Sequence, residues 1–272
     1  LRLRRAGFTH VLDLDNTERT ALITRATGAP CRVAIWYVRH AWPWVYTAAL
    51  QSQPAEHERR SIIEYYLSAL GPAGVPVTSR EVRLVPRVAD LVSARLLVRN
   101  AGRKILLHPG SRSAFRMWPA ANFAAVCDRV QDELGAQVFL VCGPGEEAAA
   151  DAIRRATRSH VVALKPLTTP GALAALAAQC DVFLCHDSGP MHVAAAVGTR
   201  VVALFGSQNT TLWRPLGGDH VVLQTTLPCA CLGPDAPGAC VPNDSYRSYC
   251  VRRIGVDEVL RALARTLAEV AR

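Results

Sequence analysis

From Lys104 onward, short β-branched runs alternate with helix-length segments rich in Ala, Leu and Arg, the pattern of a parallel sheet joined by crossover helices. Strands are predicted at 104–108, 137–142, 160–164, 181–185, 200–205 and 220–224. Their near-continuous apolarity suits strands covered on both faces. Pro119 stands in the first turn of a helix ending at Gly135, and Thr169-Pro170 opens another that ends near Gln179. A third helix begins at Gly189-Pro190. From about Val256 to the chain end, Val259, Leu260, Leu263, Leu267 and Val270 fall on one helical stripe.

The front of the chain repeats the logic less regularly. Residues 8–14 read as a strand, 17–26 as a helix closed by Gly28, and 32–36 as a second strand, a βαβ unit. Residues 56–70 read as a helix ending at Gly71, and 72–88 as irregular or extended chain. A domain boundary is expected within 89–103. The resulting division is a first Rossmann-like domain at 1–95, incomplete at its start, a second at 96–253, and a C-terminal amphipathic helix at 254–272.

Half of the 272 residues are apolar, enough for more than one core. Every long apolar run is broken by Arg, Asp or Gly before reaching the roughly 20 residues of a membrane-spanning helix. The formal charge of +9 is carried by arginine, since Lys104 and Lys165 are the only lysines among 31 basic residues. Arginine offers planar, paired donors suited to phosphate and carboxylate. No basic run is interleaved with aromatics, which argues against nucleic acid and for an acidic small substrate or an anionic membrane surface. Of the nine cysteines, Cys31, Cys127, Cys142, Cys180 and Cys185 sit in apolar patterns as small buried hydrophobes. Cys229, Cys231, Cys240 and Cys250 cluster in a Pro/Gly-rich loop, with zinc binding as the alternative to a purely structural loop. The odd cysteine total, with no secretion signal, points to a reducing, cytoplasmic compartment. The opening Leu1-Arg2-Leu3 lacks an initiator Met and reads as a truncated start.

Two segments carry the chemistry. Cys185-His186-Asp187-Ser188-Gly189-Pro190-Met191-His192 follows a buried strand and opens a helix whose Ala194, Ala195 and Ala196 allow close packing. In open parallel sheets ligands bind beyond the strand carboxyl ends, and a helix N-terminus there presents N–H groups and a positive dipole end to phosphate. Helix capping by Asp187 and Ser188 is the structural alternative, compatible with binding. The second segment, from His108-Pro109-Gly110-Ser111-Arg112 through Arg116-Met117-Trp118-Pro119, is again a strand end, a small-residue turn and a helix start. Its Arg112 and Arg116 bracket a loop able to face an anion, Arg116 being the stronger candidate for a forked contact with a diphosphate. His186 and Trp213 are expected to line or abut the same cleft.

Together these segments resemble glycosyltransferase family 9, the ADP-heptose:lipopolysaccharide heptosyltransferases. The likeness continues through Ala196-Val197-Gly198-Thr199-Arg200 to Phe205-Gly206-Ser207, spans 104–265, and reaches 12–32 more weakly, where Arg19 matches a family arginine. The resemblance implies a two-domain GT-B fold with an acceptor-binding first domain and a donor-binding second. It also implies metal-independent, inverting transfer of a heptose from ADP-heptose to a lipopolysaccharide core acceptor, with no cofactor. By position, the donor contacts are Ser111, Arg112, Arg116, Asp187, Ser188, Gly189, Pro190, Met191 and His192, together with Glu146 or Glu147. Arg116 and Asp187 take the catalytic role. The expected partners are the nucleotide sugar and an anionic lipid-linked saccharide, with peripheral contact to the inner membrane. The family's Gly-Asp segment carrying the general base has no match here, so the resemblance implies that a chain starting at Leu1 binds donor without supplying that base. The runner-up readings are a sugar-nucleotide-binding domain without turnover and a haloacid-dehalogenase-type phosphatase using Asp13 and Asp15 of Val11-Leu12-Asp13-Leu14-Asp15-Asn16-Thr17.

Overall fold

The computed structural model describes residues 2–36, 42–51, 59–99, 102–113, 116–225 and 250–270. It divides into two compact units, Leu1–Glu81 with Thr211–Trp213, and Val82–Thr210 with Arg214–Arg272.

The first unit is built on three parallel strands in the order β1-β2-β3: His10–Asp13, Cys31–Trp36 and Ala48–Gln51. After the short helix α1 (Arg2–Arg5), the β1–β2 crossover is α2 (Glu18–Thr27). Its ends are specified locally. Thr17 and Thr20 form a reciprocal capping box, and Gly28 closes the helix at φ +70°, a left-handed turn that costs glycine nothing. Strand β3 lies outside the predicted elements: a four-residue edge strand between the aromatic-rich 36–46 and the polar, Pro-containing 52–58. The helix expected over 56–70 is α3 (Ile62–Leu67) continued by a 3₁₀ turn at Ser68–Leu70, and 52–58 lie outside the described residues. Ile62, Tyr65 and Ala69 pack with Val33 and Ile35 into this unit's core.

The boundary between units falls at Glu81/Val82. The segment 89–103, where the boundary was expected, contains most of α4 (Val88–Leu97), whose strong exposure, with only Ala94 buried among its ten residues, explains why no amphipathic stripe marks it. It packs against α7 (Pro170–Ala177) of the second unit.

The second unit carries six parallel strands: β4 (Arg103–His108), β5 (Ala136–Leu140), β6 (Val162–Ala163), β7 (Val182–His186), β8 (Arg200–Phe205) and β9 (Val221–Gln224). Each prediction lands within a few residues of its strand. The spatial order β6-β5-β4-β7-β8-β9 is that of a doubly wound Rossmann sheet. Ile105, Leu107, Val138, Leu140, Val182, Leu184, Val202 and Leu204 point to one face. There they meet Phe123, Val126, Cys127 and Val130 of α5 (Ala120–Leu134) and Val259, Leu260, Leu263 and Leu267 of α10 (Val256–Val270). Each such fully buried side chain contributes about 1.5–3 kcal/mol. The predicted stripe of α10 stops short of Val270, which is 39% exposed. On the other face α8 (Gly189–Ala196) lies on β7 and β8, while α6 (Glu147–Ala156) packs against α5 with Ile153 in the first-face core; the short α9 (Thr210–Trp213) belongs, from Thr211, to the first unit. Cys127, Cys142, Cys180 and Cys185 are buried free thiols as expected, Cys31 is half-buried, and Cys250 is buried and free; Cys229, Cys231 and Cys240 lie outside the described residues.

Candidate functional site

The winding order determines where a ligand fits. The chain runs from β4 outward to β5 and β6, then returns to β7 beside β4, so the loops after β4 and β7 diverge and leave a crevice at their carboxyl ends. A cavity of about 670 Å³ occupies this position, the size of a small-molecule site. Its walls come from four successive strand ends: His108, Ser111 and Arg112 after β4; Cys142 to Glu146 after β5; Leu167 to Pro170 after β6; Gly189, Pro190 and Val193 of α8 after β7.

Glu146 forms part of the wall with its carboxylate already oriented. Oε2 accepts the Gly143 N–H at 2.8 Å and lies 3.1 Å from His108 Nε2. The His108 hydrogen bond, followed by that from Gly143, holds the carboxyl below its ordinary range against the opposing effect of burial. The side chain lies across Gly110, where a Cβ would stand 2.1 Å from Oε1. Glu147, the other candidate, is an exposed first residue of α6.

Beside the cavity, Arg116 and Asp187 join the two motif loops, Nη1 to Oδ2 at 3.5 Å. Asp187 is 7% exposed at its side chain, and burial raises its pKa while Arg116 pulls it back down. The Arg116 Nε is buried and makes no hydrogen bond. An unsatisfied guanidinium N–H costs free energy until an acceptor arrives. The α8 N-terminus is similarly open: no side chain caps it, and Ser188 Oγ turns back to the His186 carbonyl at 3.4 Å. The capping alternative for Asp187 and Ser188 is therefore not what the structure adopts.

Thus Ser111, Arg112, Glu146, Gly189 and Pro190 are brought into one cavity wall, with Arg116, Asp187 and Ser188 alongside it. Met191 is instead fully buried beneath α8, and His192, half-buried and with its pKa lowered by burial, does not line the cavity. His186 abuts the cleft without lining it, being wholly buried with Nδ1 3.4 Å from the Gly110 carbonyl, and Trp213 belongs to the first unit. The turn Thr168-Thr169, taken in sequence as a helix start, also forms cavity wall. Only the sheet order reveals that, because the end of the two-residue strand β6 turns toward the same crevice.

The phosphatase alternative fails on geometry. The Asp13 carboxylate is buried and committed: Oδ1 accepts from the Asp15 and Asn16 N–H groups at 3.2 and 3.0 Å, and Oδ2 from the Tyr46 hydroxyl at 2.7 Å. No cluster of three or more potential metal ligands occurs among the described residues.

A family model described as glycosyltransferase family 9 (heptosyltransferase) matches residues 1–233. The chain belongs to glycosyltransferase family 9. Among the family's curated members, lipopolysaccharide heptosyltransferase 3 of Escherichia coli is 27% identical over 228 residues, 80% of this chain and 65% of that protein. Lipooligosaccharide heptosyltransferase 2 of Campylobacter jejuni is 32% identical over 142 residues, half of this chain and 44% of that one. The chain thus spans just under two thirds of the length of the Escherichia coli relative. A family 9 glycosyltransferase from Veillonella parvula superposes with a TM-score of 0.80 at 22% identity, covering 98% of this chain and 76% of the other. Escherichia coli ADP-heptose lps heptosyltransferase II gives 0.78 at 20% identity, with 100% and 80% covered. The GT-B-like, two-Rossmann architecture read from sequence is therefore that of its structural neighbours.

Proposed function

We propose that the second unit binds the nucleoside diphosphate of a sugar donor, ADP-heptose, and that the protein transfers the heptose to an anionic, lipid-linked saccharide of the lipopolysaccharide core. One observation carries this reading: the uncapped N-terminus of α8 forms part of the cavity wall, and the adjoining Asp187 holds Arg116, whose buried Nε is unsatisfied. Both are charge-assisted donors waiting for an anion. Names of relatives and neighbours support the sugar and nucleotide, one Escherichia coli heptosyltransferase having been solved with ADP.

The transfer is inverting. The acceptor oxygen forms its bond to the anomeric carbon as the bond to the phosphate oxygen breaks, and the electron pair leaves on the diphosphate. Arg116 and the α8 N-terminus meet that growing charge, the role a divalent ion plays elsewhere. Oε1 of Glu146 offers an acceptor to ribose or adenine. Neither Glu146 nor Asp187 is assigned as the base that takes the acceptor proton, since one is tied to His108 and Gly143 and the other to Arg116. The charge of +9 favours an anionic acceptor and peripheral contact with an anionic inner membrane. No helix among the described residues is long and apolar enough to cross a membrane.

Calorimetric titration of ADP, UDP and GDP tests the donor assignment. Preference for ADP is expected, and equal affinity for all three, or for none, overturns it. Product formation from ADP-heptose in the presence of chelator is expected to persist. Its loss on chelation would replace metal-independent chemistry with a metal-assisted step, and binding without product would leave a donor-binding module.

A further inference from the structure

His186 ends β7 immediately before Asp187, fully buried, yet it is the group on which both feet of the β4 loop rest. Its Nε2 accepts the backbone N–H of Trp118 at 2.7 Å, and its Nδ1 faces the Gly110 carbonyl at 3.4 Å. Gly110 begins the loop and Trp118 ends it. Between them, on the limbs 110–113 and 116–118, stand Ser111 and Arg112 of the cavity wall and Arg116, the partner of Asp187. A single imidazole thus spans the loop's mouth.

The ring is itself held from behind. Phe123 packs edge-on to it at 5.2 Å and edge-on to Trp118 at 4.9 Å, and the Trp118 indole N–H donates to the Ile254 carbonyl at 3.0 Å. These contacts fix one tautomer. A backbone N–H can donate only to an unprotonated Nε2, so the proton resides on Nδ1 and is directed at Gly110. Burial depresses the pKa of His186 to about 4, in keeping with a neutral ring.

The geometry points to His186 as a positioning residue that clasps both ends of the β4 loop and thereby presents Arg112 and Arg116 to an anion in a fixed arrangement. It rests on the anion-binding reading of the cavity, and it assigns His186 no contact with substrate. The physical reason is preorganisation: a loop secured at both feet loses little freedom on binding, whereas one freed at either foot must be ordered by the ligand.

Three substitutions separate the two bonds. His186→Gln places an acceptor near the Nε2 position, His186→Asn places a donor near the Nδ1 position, and His186→Phe keeps the ring and removes both. With ADP as probe, His186→Phe is expected to weaken binding by about tenfold or more, because a buried N–H is orphaned. His186→Gln is expected to stay within about threefold of the parent. Amide exchange at Trp118 and Arg116 should accelerate in the Phe variant without nucleotide, and imidazole ¹⁵N shifts of the parent should report an Nδ1–H tautomer. Unchanged ADP affinity in His186→Phe overturns the proposal. If His186→Phe does not fold, the remaining pair decides: Asn weaker than Gln supports the clasp, and both equal to the parent overturns it. If the parent binds no ADP, the donor reading fails by itself. The clasp then stands on accelerated exchange with the Nδ1–H signature, and falls if exchange is unchanged or Nε2 carries the proton.

Discussion

Two strand-to-helix turns of this chain share a start in sequence and diverge in use. After β1, Asp13 folds its carboxylate over the turn and accepts two backbone N–H groups, while Thr17 and Thr20 close the helix with a capping box. After β7, Asp187 and Ser188 occupy the analogous place, but neither caps the helix. Asp187 faces Arg116 across the loop instead. In the first turn the local donors are consumed by the chain, which makes the turn rigid and chemically mute. In the second they are left open beside a cavity, and the stability forgone there is available to a ligand. A polar strand–turn–helix motif therefore states a site only when its donors remain unclaimed.

The contrast can be broken most sharply at Arg116. Arg116→Ala is expected to lower ADP affinity by about 100-fold, the scale of a lost charge-assisted contact. A titration showing parent-like affinity would remove the open turn from ligand binding. Next, Gly110→Ala and Glu146→Ala should each cost about tenfold, since a Cβ at Gly110 evicts the Glu146 carboxylate from its seat. The double variant should be no worse than either alone, and Glu147→Ala should match the parent; additive losses would separate the two residues.

Stability measurements should invert the pattern. Asp13→Ala is expected to cost about 2 kcal/mol in chemical denaturation and leave ADP affinity alone, because the carboxylate satisfies three donors. Ser188→Ala, with no capping bond to lose, should cost less than about 0.5 kcal/mol, against about 1 kcal/mol for Thr17→Ala. Equal losses at Ser188 and Thr17 would erase the distinction between the turns.

The last check is a pH dependence. The folded protein holds His186 at about 4, below the ordinary value of 6.5, so between these values the unfolded chain binds the extra proton. Stability is therefore complete above about pH 6.5 and declines as pH falls toward 4, by up to about 3 kcal/mol. Melting curves across this range should fall more steeply for the parent than for His186→Phe; parallel slopes would show that the ring is not held neutral.

The inner strands of the second unit were legible because each carries an unbroken apolar run, Ile105–Leu107, Val138–Leu140, Val182–Cys185 and Val201–Phe205, a local property that a parallel sheet covered on both faces demands. The helix ends at Gly28 and Gly135 were legible for the same reason, their left-handed φ of 70° and 59° being glycine's own territory. Helix α4 and strand β3 were not, since one is largely exposed and the other a four-residue edge, and neither burial pattern writes a period into the residues.

By itself, the sequence determined the parallel α/β layers, the two loops that bear polar and basic groups, and the family those loops belong to, because these follow from periodicity and from short contiguous motifs. Tertiary structure alone put Glu146 rather than Glu147 in the cavity wall, withdrew Met191 into the core, set His186 behind the cleft as a buried support, and added the Thr168-Thr169 turn to the wall. Each of those outcomes depends on which strand ends lie side by side. Strand order is set by packing between segments tens of residues apart, and no local pattern records it.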